Sequence, residues 1–222
     1  MGSIATQIAK ELNVQVAQVE AAVNLIDEGA TIPFIARYRK EKTGSLDDTQ
    51  LRQLDERLSY LRELAERKQV ILAAIEEQKK LTPQLKEDVL NAATKTKLED
   101  LYLPYKVKRR TKAQIAREAG LEPLAKHLWQ NPNDAIEEIA VKYINIEKGI
   151  ENSEQALEGA RHILMETFAE NATLLESLRE SMWQHGRFYS TVQKGKEKQG
   201  KKFSDYFNFD EALNKIPSHR AL

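Results

Sequence analysis

Along most of the chain apolar residues recur at steps of three and four, the spacing that lines one side of an α-helix. Ile8, Ala9, Leu12, Val14, Val19, Val23 and Ile26 form the apolar side of two short helices, with Asn13 at the bend. This is the pattern of a helix-turn-helix over residues 4–28. Gly29 stops the second helix, and Thr31 with Pro33 opens a third that carries Ile32, Phe34, Ile35 and Tyr38 before fraying into Lys42-Thr43-Gly44. Ser45 and Asp48 then read as a Ser-x-x-Asp capping box. The longest element follows, over residues 46–79: Leu51, Leu54, Leu58, Leu61 and Ala65 step by three and four, and Ile71, Leu72 and Ile75 resume the stripe after polar Lys68. At 1.5 Å per residue it would run for about 50 Å. The stripe either packs on neighbouring helices or, if exposed at Leu54, Leu58 and Leu61, offers a docking face to a partner.

Thr82-Pro83 opens the next helix, and Thr96 with Glu99 reads as a capping box before Leu98, Leu101 and Tyr102. Pro104 ends that element. Thr111 and Gln114 cap the helix after it, and Gly120 with Pro123 marks a sharp turn toward Leu124, Leu128 and Trp129. Beyond the linker Asn131-Pro132-Asn133, helices are predicted over 136–143, 156–168 and 174–183. After Gly186, Phe188, Ser190 and Val192 alternate as in a short strand; Phe203, Tyr206, Phe207 and Phe209 then cluster with weak helix signals. The pattern predicts an all-α, multi-helix scaffold with a helix-turn-helix-like N-terminal unit and one long helix, with minor β-structure at most near the C-terminus. Its expected divisions are residues 1–44, 45–186 and 187–222. The last residues, His219-Arg220-Ala221-Leu222, carry no cap or polar tail, which reads as a piece cut from a longer protein.

Composition narrows the chemistry. Cysteine is absent, which removes disulfides, thiol catalysis and thiolate metal sites and fits a reducing, cytoplasmic setting. No run of about 18 apolar residues exists, so no membrane span or membrane partner is expected. Lys+Arg and Asp+Glu both number 34, so a uniformly basic nucleic-acid binder is excluded while a local basic patch is not. The dense patch is Lys106, Lys108, Arg109, Arg110 and Lys112, with Arg117 one turn on. Five cations in seven residues raise a local positive potential suited to phosphate, and Tyr102 and Tyr105 just before them could stack on an unpaired base. The plainer readings are a solvated loop balanced by Glu99 and Asp100, or a contact to other domains. The turn between Ile115 and Leu128, with Ala116 and Gly120 at helix-turn-helix spacing, is basic and is a better nucleic-acid candidate than the helix-turn-helix of residues 4–28.

Other clusters carry less. The second helix of residues 4–28 would present Gln15, Gln18, Glu20 and Asn24 to bases but contains no cation to hold phosphate. Arg37, Arg39, Lys40 and Lys42 are flanked by Asp27, Glu28, Asp47 and Asp48, so internal ion pairing is expected there. Gly195-x-x-x-x-Gly200-Lys201 mimics a phosphate-binding loop, but Lys202 stands where the motif needs Ser or Thr. His162 and Glu166 are placed for a surface pair rather than a metal site, and no histidine pair has zinc-ligand spacing. No enzyme, cofactor or metal is expected.

Three longer strings identify a resemblance. They are Thr31-Ile-Pro-Phe-Ile-Ala-Arg-Tyr-Arg-Lys-Glu41 with Thr43-Gly44 and Leu46-Asp47-Asp48; Leu98-Glu-Asp-Leu-Tyr-Leu-Pro-Tyr105 running into Lys108-Arg-Arg-Thr-Lys112 and Ala116-Arg-Glu-Ala-Gly-Leu-Glu-Pro-Leu124; and Gly195-Lys196 with Lys202-Phe203-Ser-Asp-Tyr-Phe207 and Ile216-Pro-Ser-His-Arg220. They resemble the N-terminal region of the Tex family of bacterial transcription accessory proteins, over almost the whole chain. The resemblance implies a helical scaffold, similar to the core of a eukaryotic elongation factor and histone chaperone. In that family the chain continues into an RNase H-like domain, a helix-hairpin-helix region and an OB-fold domain to which RNA binding is mainly attributed. It implies as partners RNA or DNA, those further domains and the transcription machinery, and a part in transcription regulation. The alternative is a protein-interaction module with no nucleic-acid contact of its own. Val107 stands where many relatives are expected to carry proline, leaving the basic loop less stiff. The aromatic residues from Phe203 onward would, on this resemblance, belong against the RNase H-like domain.

Overall fold

Among the residues described by a computed structural model, 3–107 and 109–221, the chain forms twelve α-helices and one two-stranded antiparallel sheet. It is all-α in architecture, and its contacts divide it between Leu98 and Glu99.

The first unit holds α1 (Ile4–Leu12), α2 (Val16–Asp27), α3 (Ile32–Tyr38), α4 (Asp48–Glu77) and α5 (Pro83–Asn91), while α6 (Lys95–Tyr102) runs across the division. Ser3 caps α1 by accepting the Thr6 N–H at 3.2 Å, and Asn13 turns the chain in the left-handed region at φ 54°. Two short helices therefore meet at this turn. α1, α2 and α3 pack on α4, whose Leu51, Leu54, Leu58, Leu61, Ile71 and Ile75 are buried. Each such side chain contributes about 1.5–3 kcal/mol on leaving water. Leu54, Leu58 and Leu61 are covered, so the stripe is internal packing and not a docking face. Leu64, not Ala65, continues it.

The start of α4 differs from expectation. Asp47 is the cap: its Oδ1 accepts the Gln50 N–H at 2.8 Å while Gln50 Oε1 accepts the Asp47 N–H at 3.0 Å. Ser45 lies two residues earlier at φ 69°, and Leu46 between them is buried, which fixes the chain before the helix begins. At the far end Lys79 turns out of the helix at φ 56°. The α6 cap shifts likewise: Thr94 Oγ1 accepts the Lys97 N–H at 3.2 Å, in place of the expected Thr96 box.

The second unit is built on α10 (Ser153–Ala169), against which α7 (Lys112–Glu118), α8 (Glu122–Gln130) and α9 (Ile136–Val141) pack. Ala113, Ala116, Ala125, Ala140, Ala156 and Ala160 are buried there, so helix axes approach closely around Leu121, Leu124 and Ile163. α11 (Ala172–His185) buries no residue fully. β1 (Arg187–Thr191) pairs with β2 (Asn208–Ala212), in register Arg187↔Ala212 through Thr191↔Asn208, and α12 (Ser218–Ala221) follows. β2 was not legible as a strand: Asn208, Asp210 and Glu211 are poor strand formers. Phe209 meets Phe188 edge-on at 6.3 Å and Tyr206 at 5.6 Å, so part of the aromatic cluster packs on its own sheet, while Phe203 is exposed.

Gly159 makes the α10 packing possible. A Cβ there would stand 2.3 Å from Leu121 Cδ1 and 3.3 Å from Ala116 Cβ. Replacing a mid-helix glycine by alanine ordinarily stabilises by about 0.5–1 kcal/mol. Gly159→Ala is instead expected to destabilise by about 1–3 kcal/mol through overpacking, checked by urea denaturation; a stabilised variant would refute the close approach.

Candidate nucleic-acid interface

Pro104 lies in a short 3-10 turn, Leu103–Tyr105, which the Lys106 N–H closes on the Tyr102 carbonyl at 3.1 Å. The chain then crosses the basic segment to Thr111, which caps α7 by accepting the Gln114 N–H at 3.0 Å. The Thr111 hydroxyl also donates to Glu166 Oε1 on α10 at 3.0 Å, and Arg117 pairs with the other oxygen of that carboxylate. Arg110 pairs with Glu118 Oε2 at 2.5 Å. The expected partner of Glu166, His162, turns instead to Glu158 at 3.5 Å, because Glu166 is engaged by Thr111 and Arg117.

The six candidate cations thus separate. Arg110 pairs with Glu118 of α7 at the surface, and Arg117 pairs with the partly buried Glu166 of α10. Lys106, Arg109 and Lys112 are exposed, and among the described residues no ion pair engages them. Lys108 lies outside the described residues. Val107 is 88% exposed. Tyr102 and Tyr105 are half-buried and do not stand out as stacking faces. Asp100 does not balance the loop: it is 5% exposed and accepts two N–H bonds from Arg179 of α11, one of them at 2.8 Å. That contact raises the Arg179 pKa above the ordinary arginine range. Lys112 also lines a cleft of about 260 Å³ with Ile115, Leu121, Lys148, Gln155 and His162.

The other sequence candidates are placed as follows. Gln18 on α2 is engaged internally, its Oε1 accepting the Gln15 N–H at 2.9 Å and its Nε2 donating to the Gly44 carbonyl at 2.7 Å, so it does not present a base-reading edge. At the phosphate-loop mimic, the Gly195 N–H donates to Glu197 Oε1 and the Gly200 N–H to the Lys196 carbonyl, and a 3-10 turn, Lys201–Tyr206, follows in place of the α-helix the motif requires. Among the described residues no three His, Asp or Glu side chains gather as a metal-binding group, and no helix is long and apolar enough to cross a membrane.

The cluster after α3 reverses its expectation. Asp27 is held by Arg62 through two bonds of 2.7 Å, Asp48 by Arg52 at 2.7 Å, and Asp47 caps α4. Arg37, Arg39, Lys40 and Lys42 are left exposed, with no ion pair among the described residues. Their density was visible in the sequence; that Arg62, 35 residues away, takes Asp27 was not.

A family model described as Tex-like protein N-terminal domain matches residues 2–76, and one described as Tex central region-like matches residues 131–222. Protein YhgF of Escherichia coli is 57% identical over 97% of the chain, which covers 28% of that protein. Transcriptional accessory protein Tex of Neisseria gonorrhoeae is 55% identical over 97% of the chain and 28% of its own length. S1 RNA-binding domain-containing protein 1 of Homo sapiens is 31% identical over 90% of the chain and 21% of its own length. The chain spans less than a third of these relatives.

The N–H bond from Arg110, helped by one from Gln114, holds the Glu118 carboxyl below the usual carboxylate range. A depressed folded pKa means that this contact is complete at neutral pH and is lost as pH falls through the depressed value. Arg110→Ala is expected to return the Glu118 titration upward toward the ordinary range, read by carboxyl-carbon NMR. An unchanged titration would show that Arg110 does not pair with Glu118.

Proposed function

The chain belongs to the Tex family, and on that premise we propose that it is a helical scaffold of a transcription accessory protein that lays Lys106, Arg109 and Lys112 against nucleic-acid phosphate. The observation that carries this is the division of the basic segment. Arg110 and Arg117 are paired with Glu118 of α7 and Glu166 of α10, and Lys106, Arg109 and Lys112 are exposed with no ion pair among the described residues. Cations so exposed supply sequence-independent affinity through release of counterions from the phosphate backbone. The names of two relatives, a transcriptional accessory protein and an S1 RNA-binding domain protein, point to the same chemistry. RNA is favoured over DNA on the second of these names. The role involves no catalytic step and no cofactor, and it belongs in the cytoplasmic compartment where transcription takes place. The rest of the longer protein and the transcription machinery are the other partners.

A second reading, contact with protein, is favoured by α11. Leu174, Leu178 and Met182 follow one another at steps of four, and with Trp183 they are exposed. An apolar stripe left in solvent marks a protein contact, and other parts of the longer protein would cover it.

The test is fluorescence anisotropy of a labelled single-stranded RNA and a duplex DNA at several salt concentrations. Binding should fall steeply with salt. Changing Lys106, Arg109 and Lys112 together to Ala should lower the log–log salt slope on RNA by about 2, since each phosphate contact on a single strand contributes about 0.7. Binding that survives high salt undiminished, or a triple variant that binds as the parent does, would overturn the electrostatic reading.

A further inference from the structure

The surface of α3 and the turn after it combines features absent from the 106–117 segment. Arg37 and Lys40 line one open depression of about 410 Å³ with Pro33, Ala36 and the paired Asp48 and Arg52, and Arg39 and Lys42 line another of about 440 Å³ with Phe34 and Glu28. Phe34 is 40% and Tyr38 61% exposed, one helical turn apart, with ring centroids 5.4 Å from each other. The Arg39 guanidinium lies 5.2 Å from the Phe34 centroid. Two aromatic faces in solvent, accompanied by cations on one short helix, are the parts that hold a single-stranded nucleic acid: phosphates against the cations and unpaired bases on the rings. A duplex keeps its bases stacked inside and cannot use the rings.

The charge here is not cancelled. Asp27, Asp47 and Asp48 are committed to Arg62, to the α4 cap and to Arg52. Glu41 and Glu28 are the carboxylates that remain nearby, and neither makes an ion pair among the described residues. Four cations against these two leave the surface positive.

The turn is also fixed, although it is exposed. Thr43 is fully buried, and its hydroxyl lies 3.4 Å from the Arg39 carbonyl and 3.3 Å from that of Lys40. Gln18 Nε2 on α2 holds the Gly44 carbonyl at 2.7 Å, and Gly44, at φ 59°, leaves no room for a Cβ, which would stand 2.8 Å from that nitrogen. A segment anchored from beneath presents its cations without first having to be ordered.

We propose that α3 and residues 39–42 form a binding surface for single-stranded nucleic acid, with Phe34 and Tyr38 stacking on bases and Arg37, Arg39, Lys40 and Lys42 contacting phosphate. This surface lies in residues 1–98 and does not rest on the role assigned to Lys106, Arg109 and Lys112.

The test uses the 222-residue chain, a labelled single-stranded RNA, a single-stranded DNA of the same sequence and a duplex DNA of equal length. Tyr38→Ala with Phe34→Ala should weaken single-strand binding by about tenfold or more while leaving duplex binding within twofold. Arg37→Gln, Lys40→Gln and Lys42→Gln together should weaken binding to both single strands and lower the salt slope by about 2. Ultraviolet cross-linking of a 4-thiouridine RNA should place adducts on the peptide containing Phe34 and Tyr38. Circular dichroism and melting temperature verify that each variant is folded. Single-strand affinity retained in both variants, equal loss of duplex and single-strand binding in the aromatic variant, or adducts confined to other peptides would overturn the inference. If the triple Ala variant at 106, 109 and 112 abolishes binding while the α3 variants keep it, this surface fails and the reading of the segment stands; the opposite result fails the segment alone.

Discussion

The apolar seam of α4 is what α1, α2 and α3 close on, and the surface chemistry of residues 1–98 follows from that closure. With Leu51, Leu54, Leu58 and Leu61 turned inward, the polar side of α4 carries Arg57 and Arg62 to Glu11 and Asp27 on the two helices lying beside it. These pairs are exposed, and pairs of that kind contribute little to stability. Their effect is positional: each commits a carboxylate of α1 or α2 to an arginine of α4.

Equal numbers of cations and carboxylates make this allocation decisive. A neutral protein has a positive surface only where its own acids are held elsewhere. At the 106–117 segment Glu118 and Glu166 hold Arg110 and Arg117, and Asp100 is held by Arg179. After α3 the acids adjacent in sequence are held by α4. Exposed cations with no ion pair among the described residues therefore stand in both units of the chain, in one beside aromatic rings in solvent and in the other beside half-buried tyrosines.

Much of the fold was legible because its signals are local. The turn at Asn13, the stop at Gly29, the Thr31-Pro33 start and the Thr111 cap depend on residues within one helical turn of each other. The caps at Asp47 and Thr94 were displaced because several capping residues compete within two or three positions, and burial of Leu46 decided the first case. β2 depends on a partner some twenty residues away, and its own residues are poor strand formers. The basic segment was visible as a run of cations, yet which of them are tied was not. Glu166 is 49 residues from Arg117, and Arg62 is 35 residues from Asp27, separations that no spacing rule spans.

Ser45 and Lys79 turn the chain in the left-handed region without being glycine, as Asn13 does with a residue better suited to it. A side chain there costs of order 1–2 kcal/mol, which the helices packed on either side overcome. Neither residue lies on the apolar seam of α4 or among the exposed cations. A single change at Lys79 would therefore alter how firmly the helices are held while leaving the charged surfaces as they are, whereas one at Ser45, whose N–H donates to the Lys40 carbonyl at 2.8 Å, would also reach the turn that carries Lys40 and Lys42. Across a lineage, robustness of the fold and character of its surface would drift independently at the first position and together at the second.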